Sequence, residues 1–158
     1  MGLPLHPLII HAVVVLVPLS ALGVVLLLAF PRFAPNFSLL ILILLITSTI
    51  AGFIAEKSGQ ALSNRVGYPG AHAQQGERLS KLILLFTLLY IIWFVIHRKN
   101  IKFKSADKYL KRGLSVLLLV AASASTTFTL IVGHSGAKVT WEDRIRASSG
   151  ITLTDSAT

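Results

Sequence analysis

The 158-residue chain offers five histidines, no cysteine, and a single methionine at position 1. That inventory fixes much of its available chemistry. Without cysteine there are no disulfides, thiolate zinc or iron–sulfur centres, covalently attached c-type haem or cysteine nucleophiles. Without an internal methionine there is no thioether ligand for copper or haem. Imidazole remains, a good ligand for iron, copper and zinc. No His-Glu-x-x-His, phosphate-binding loop, nucleophile elbow or intramembrane acid occurs, so hydrolase and ion-coupled transporter functions lack a site. A non-catalytic redox or accessory role is the expectation.

Spacing sorts the histidines. His6-Pro7 opens a long apolar run, with Pro7 suited to a first helical turn, and His11 lies inside that run. Ionisable groups in such a setting are costly and functional by default. Five residues separate His6 from His11, which on a helix points them about 140° apart. They cannot share one metal from a regular helix, which leaves His6 as a cap, an entrance residue or a donor to a ligand. His72, Gly76 and Ser80 follow at four-residue spacing on one helical face. His134 stands in Gly133-His134-Ser135-Gly136, read as the end of a helix, where glycine permits close approach or a sharp turn. His97, beside Arg98 and Lys99, reads as an ordinary helix flank.

Four apolar segments must position these residues: about Leu8–Phe30, Phe37–Ala55, Leu79–Ile96 and Leu114–Val132. Each meets the roughly 17–25 residues needed for a hydrocarbon core about 30 Å thick. Charged residues make up 13% of the chain, about half the share usual in soluble domains, and the mean hydropathy is +0.75. The first run lacks a basic n-region and exceeds an h-region, so it reads as a span rather than a removable signal. The expected fold is all-α, a transmembrane four-helix bundle forming one domain over 1–150, with a polar tail over 151–158. A turn is expected at Gly67-Tyr68-Pro69-Gly70, with Glu56–Asn64 prolonging the second helix.

Charge gives direction. The third connection holds Arg98, Lys99, Lys102, Lys104, Lys108, Lys111 and Arg112 against one acid, Asp107. The positive-inside rule makes it cytoplasmic, together with the short Pro31–Asn36 turn. Both termini are then extracytoplasmic, and His6, His11, His72 and His134 share the outer side. The net charge of +9 thus reads as topology and contact with anionic lipid, not as nucleic-acid binding. In the outer halves of the second and fourth helices, small residues form stripes: Ser48, Gly52, Ala55, Gly59 and Ala122, Ser125, Thr129, Gly133. Such stripes serve helix packing or leave room for a flat macrocycle.

The segments His6-Pro7-Leu8-Ile9-Ile10-His11 and Gly133-His134-Ser135-Gly136-Ala137-Lys138-Val139-Thr140-Trp141 resemble a family of small bacterial four-span membrane proteins, catalogued as domain of unknown function 2231. That family typically opens with His-Pro-x-x-Val-His-Phe-Pro and closes with Gly-His-x-Gly-Gly-x-Leu-Val-Tyr; a histidine before the third span, matched by His72, is common. Here Ala12-Val13 replaces Phe-Pro, Ala137 the second glycine, and Thr140-Trp141 the Val-Tyr pair. The resemblance covers nearly the whole chain. It implies a multipass protein of the bacterial inner membrane working near redox proteins.

These readings converge on a membrane-bound, b-type cytochrome-like electron-transfer protein. Its haem b would be ligated by two of His11, His72 and His134 on the extracytoplasmic side. His6, Gly52, Gly76, Gly133 and Arg78 would border the site, Arg78 as a partner for a propionate. Electrons would pass to or from quinol or an extracytoplasmic redox protein. One alternative is a copper or zinc site on the same three histidines, with Glu56 or Glu77. Another is a cofactor-free accessory subunit of a larger membrane complex or homo-oligomer.

Overall fold

The computed structural model describes the backbone of residues 5–66, 71–98 and 107–148, with side chains described over 9–59, 74–98 and 109–134. Among the described residues there is no strand. Helix α1 spans Leu5–Ala29, a 3₁₀ turn spans Pro31–Phe33, and α2, α3 and α4 span Ala34–Val66, Ala71–Arg98 and Asp107–Ser148. Four stretches are long and apolar enough to cross a membrane: Ile9–Ala29, Pro31–Gly59, Gln74–Arg98 and Tyr109–His134. They overlap the four segments read from the sequence. Only 28–44% of the residues in their most apolar windows are buried within the bundle, so most of the remaining apolar surface requires a hydrocarbon solvent.

Each helix packs on its two neighbours in a closed ring, α1 on α2, α2 on α3, α3 on α4, and α4 back on α1. Short connections make consecutive helices antiparallel, so His11 and His134 lie at one end and Arg32, Arg98 and Arg112 at the other. These are called the histidine end and the basic end below.

Two boundaries differ from expectation. The Pro31–Asn36 turn is only a 3₁₀ turn, and α2 already begins at Ala34. Pro35 then falls in a first turn, where its missing N–H has no partner to lose. Helix α4 does not end at His134 but runs on to Ser148. Each interior glycine costs about 1 kcal/mol of helix propensity, and in α4 that is offset by packing at Gly133 and by helix-forming residues beyond it. The expected 67–70 turn and the 151–158 tail lie outside the described residues, although α2 ends at Val66 and α3 starts at Ala71, flanking that turn.

The core has two apolar parts. Toward the basic end Val24, Leu27, Ile41, Leu45, Phe86, Tyr90, Trp93 and Leu118 pack together. Tyr90 stacks on Trp93 with centroids 5.5 Å apart, and its hydroxyl donates to the Ser38 carbonyl at 2.9 Å. Toward the histidine end the cluster is smaller: Val13, Val17, Leu79, Ile83 and Val132. Fully buried hydroxyls add a polar element to the interior, from Ser20, Ser48, Ser125 and Thr129. Ser20 and Ser48 donate to carbonyls one turn back, as does Thr129 to Ser125, satisfying groups that hydrocarbon could not.

Candidate functional site at the histidine end

The two small-residue stripes face inward. Ser48, Gly52, Ala122, Ser125 and Thr129 are buried, and neighbouring helices fill the space beside them. Ser80 of α3 donates to the Gly52 carbonyl of α2 at 3.1 Å and to its own Gly76 carbonyl at 3.2 Å. A β-carbon added at Gly52 would stand 3.6 Å from Ile83 Cδ1 and 3.7 Å from Ser80 Oγ. One turn further in, Thr49 and Thr87 share a hydrogen bond of 2.8 Å between the same helices. On the opposite seam, a β-carbon at Gly133 would lie 3.2 Å from Val14 Cγ2. The stripes therefore serve close packing of α2 on α3 and of α4 on α1, and no ring-sized slot separates these seams at the two glycines.

That packing forms a floor beneath the histidines. Val14 is three residues from His11, and Gly133 adjoins His134, so the Val14–Gly133 contact brings the histidine-bearing ends of α1 and α4 together. Both imidazoles are exposed. His72 stands in the first turn of α3 and His6 in the first turn of α1; their side chains lie outside the described residues. Gly76, one turn above Ser80, differs from Gly52 and Gly133, because a β-carbon there would meet nothing within 4 Å. Among the described residues, the space beside Gly76, one turn above the Ser80–Gly52 link, is open.

Charged groups border this rim of the bundle. Arg78 is exposed, and Glu77 is engaged by Lys81 at 2.6 Å. Among the described residues no group of three His, Cys, Asp or Glu side chains could hold a metal ion; the His72 side chain, one of the three expected ligands, lies outside them. His97 sits apart at the basic end, stacked on Trp93 at 4.1 Å with Nδ1 3.0 Å from the Trp93 carbonyl. Sequence reading missed the Thr49–Thr87 and Ser80–Gly52 links, because a lone hydroxyl in an apolar run does not name its partner helix.

Two open grooves mark the exterior. One, of about 640 Å³, lies between α3 and α4 beside Leu82, Ser123, Thr127 and Phe128. The other, of about 380 Å³, lies between α1 and α4 beside Pro18, Val25, Ser123 and Thr126. Neither includes a histidine. In comparisons with known proteins, the model of a family described as a predicted membrane protein (DUF2231) matches residues 2–149. No curated protein and no solved structure matches the chain.

Proposed function

The chain belongs to the DUF2231 family of membrane proteins, and from its histidine end we propose that it is a membrane-bound electron-transfer subunit holding a b-type haem at the bundle rim. The observation that carries this reading is the Val14–Gly133 contact, which unites the histidine-bearing ends of α1 and α4. Ring order adds to it. Helix α4 is the common neighbour of α1 and α3, so His134 can pair with His11 or with His72 across adjacent helices, whereas His11 and His72 stand on a diagonal. Two imidazoles suffice for a six-coordinate haem, and no thiolate or internal thioether competes.

The bundle interior at Gly52 and Gly133 does not fit a macrocycle, because neighbouring side chains already fill it. Beside Gly76, by contrast, an added β-carbon would meet nothing within 4 Å among the described residues, and the proposed ring would use that side of the bundle end. When bound, the haem would supply reversible one-electron chemistry. The chain would supply imidazole ligands, Arg78 as a cation for a propionate, and a membrane position suited to exchange with quinol or a redox protein.

A reduced-minus-oxidised absorption spectrum tests this on full-length protein purified from cells grown with ample haem. A sharp reduced α-band that dissociates into acid acetone is the expected result, since no cysteine can hold the ring. A colourless preparation overturns it. Stoichiometric copper or zinc in that preparation would move the site to the metal reading. The tight filling of both stripes is what favours the remaining alternative, a cofactor-free accessory subunit, and a colourless, metal-free protein co-purifying with a membrane complex would select it.

A further inference from the structure

We propose that Arg32 and the phenylalanines around it bind the headgroup of an anionic phospholipid at the basic end of the bundle. The site begins with a stiff local backbone. Pro31 fixes its own φ, the Phe30 N–H donates to the Leu26 carbonyl at 2.8 Å, and the Phe33 N–H donates to the Phe30 carbonyl at 3.0 Å. This short 3₁₀ turn sets Arg32 against the Phe33 ring, with Phe30 more distant. The Arg32 Cζ lies 4.8 Å from the Phe33 centroid and 6.0 Å from that of Phe30.

Stacking engages the flat face of a guanidinium and leaves its N–H edge for another partner. Among the described residues no carboxylate takes that role. Arg32 is exposed and makes no ion pair with a described side chain; the described acids, Glu56 and Glu77, belong to the opposite half of the bundle, and the Asp107 side chain lies outside the described residues. Arg98 repeats the arrangement, 5.5 Å over the Phe94 ring. An oxyanion that accepts two N–H bonds from one guanidinium is the chemistry left unsatisfied, and phosphate provides it.

The surroundings choose a lipid over a soluble phosphate. Phe30, Phe33 and Phe37 are 48%, 40% and 47% exposed. They form an edge-to-face series with centroid separations of 6.4 and 6.3 Å. These rings sit where a membrane span ends, offering an apolar shelf directly beside the cation. A phosphate ester carrying acyl chains matches both parts at once, and a net negative headgroup matches an end that also carries Arg98 and Arg112. This inference is independent of the haem.

The test is native mass spectrometry of the full-length chain in detergent, supplied with equal amounts of synthetic phosphatidylglycerol and phosphatidylcholine. Wild type should retain phosphatidylglycerol preferentially, Arg32→Gln should lose that retention severalfold, and Arg32→Lys should fall between, keeping charge but not the planar fork. Lys57→Gln, toward the histidine end, should retain lipid as wild type does. Millimolar inorganic phosphate should not displace the bound lipid. Three results would overturn the proposal: undiminished retention in a helical Arg32→Gln protein, equal retention of the two lipids by wild type, or displacement by inorganic phosphate alone.

Discussion

At the residue scale, His134 and Gly76 separate a cofactor site from a structural rim. Because α4 adjoins both α1 and α3, His134 belongs to either pairing of neighbouring histidines. His134→Ala should therefore abolish the haem spectrum outright. Only one of His11→Ala and His72→Ala should do the same, and His97→Ala, stacked on Trp93 at the other end, should leave it intact. Spectra of the four variants at equal protein concentration check this; survival of the α-band in His134→Ala would remove the proposed ligation. Gly76 gives a complementary readout. A β-carbon there meets nothing, so Gly76→Leu should keep the thermal midpoint near wild type while filling the rim and lowering haem content. Full haem occupancy in Gly76→Leu would place any ring elsewhere. The shared end of His11 and His134 was legible in the sequence, from the antiparallel order of the apolar runs. The function of the glycines was not. Gly52, Gly76 and Gly133 look alike in the chain, yet one faces Ile83 and Ser80, one faces Val14 and one faces open space, a distinction that exists only once the helices are docked.

At the element scale, the helices were readable because hydrocarbon leaves a spanning segment few choices. About 20 apolar residues and internally satisfied backbone groups mean a helix, and all four spans appear where apolar runs stand. The ends were harder. Gly133-His134-Ser135-Gly136 looks like a terminus in water-based rules, but α4 passes through it to Ser148, with Gly133 serving the approach to Val14. Gly23 was likewise passed over. A β-carbon there would collide with the Ile41 side chain, so the α1–α2 seam toward the basic end also uses a glycine. From this packing, Gly133→Leu and Gly52→Leu should each destabilise the bundle by about 1–3 kcal/mol, the usual cost of forcing bulk into a packed interior. Ala29→Leu, exposed on α1, should be tolerated. Thermal unfolding of the three variants in one detergent is the measurement, and equal tolerance at all three positions would show that the seams are not close-packed.

For the whole molecule, the ring of antiparallel helices segregates two chemistries to opposite ends. His11 and His134 stand where the chain's first and last spans meet, and the opposite end carries eight of the fifteen Lys and Arg residues with only one of the six acids. A bundle that crosses the membrane must choose which end faces the cytoplasm, and the Lys/Arg bias of short loops dominates that choice. The 97–112 connection carries seven Lys and Arg residues against one Asp, while the loop between the second and third spans carries fewer cations, with Glu56 and Glu77 near them. The basic end should therefore be cytoplasmic, which also sets the Arg32 shelf against the more anionic leaflet and the histidine rim toward extracytoplasmic partners. Cysteine substitution reads this directly, because the chain has no cysteine of its own. With an impermeant maleimide on intact cells, Ser63→Cys should label and Ser105→Cys should label only after the membrane is opened. The reverse pattern would invert the molecule and place the histidine rim in the cytoplasm, where an extracytoplasmic redox protein could not reach it.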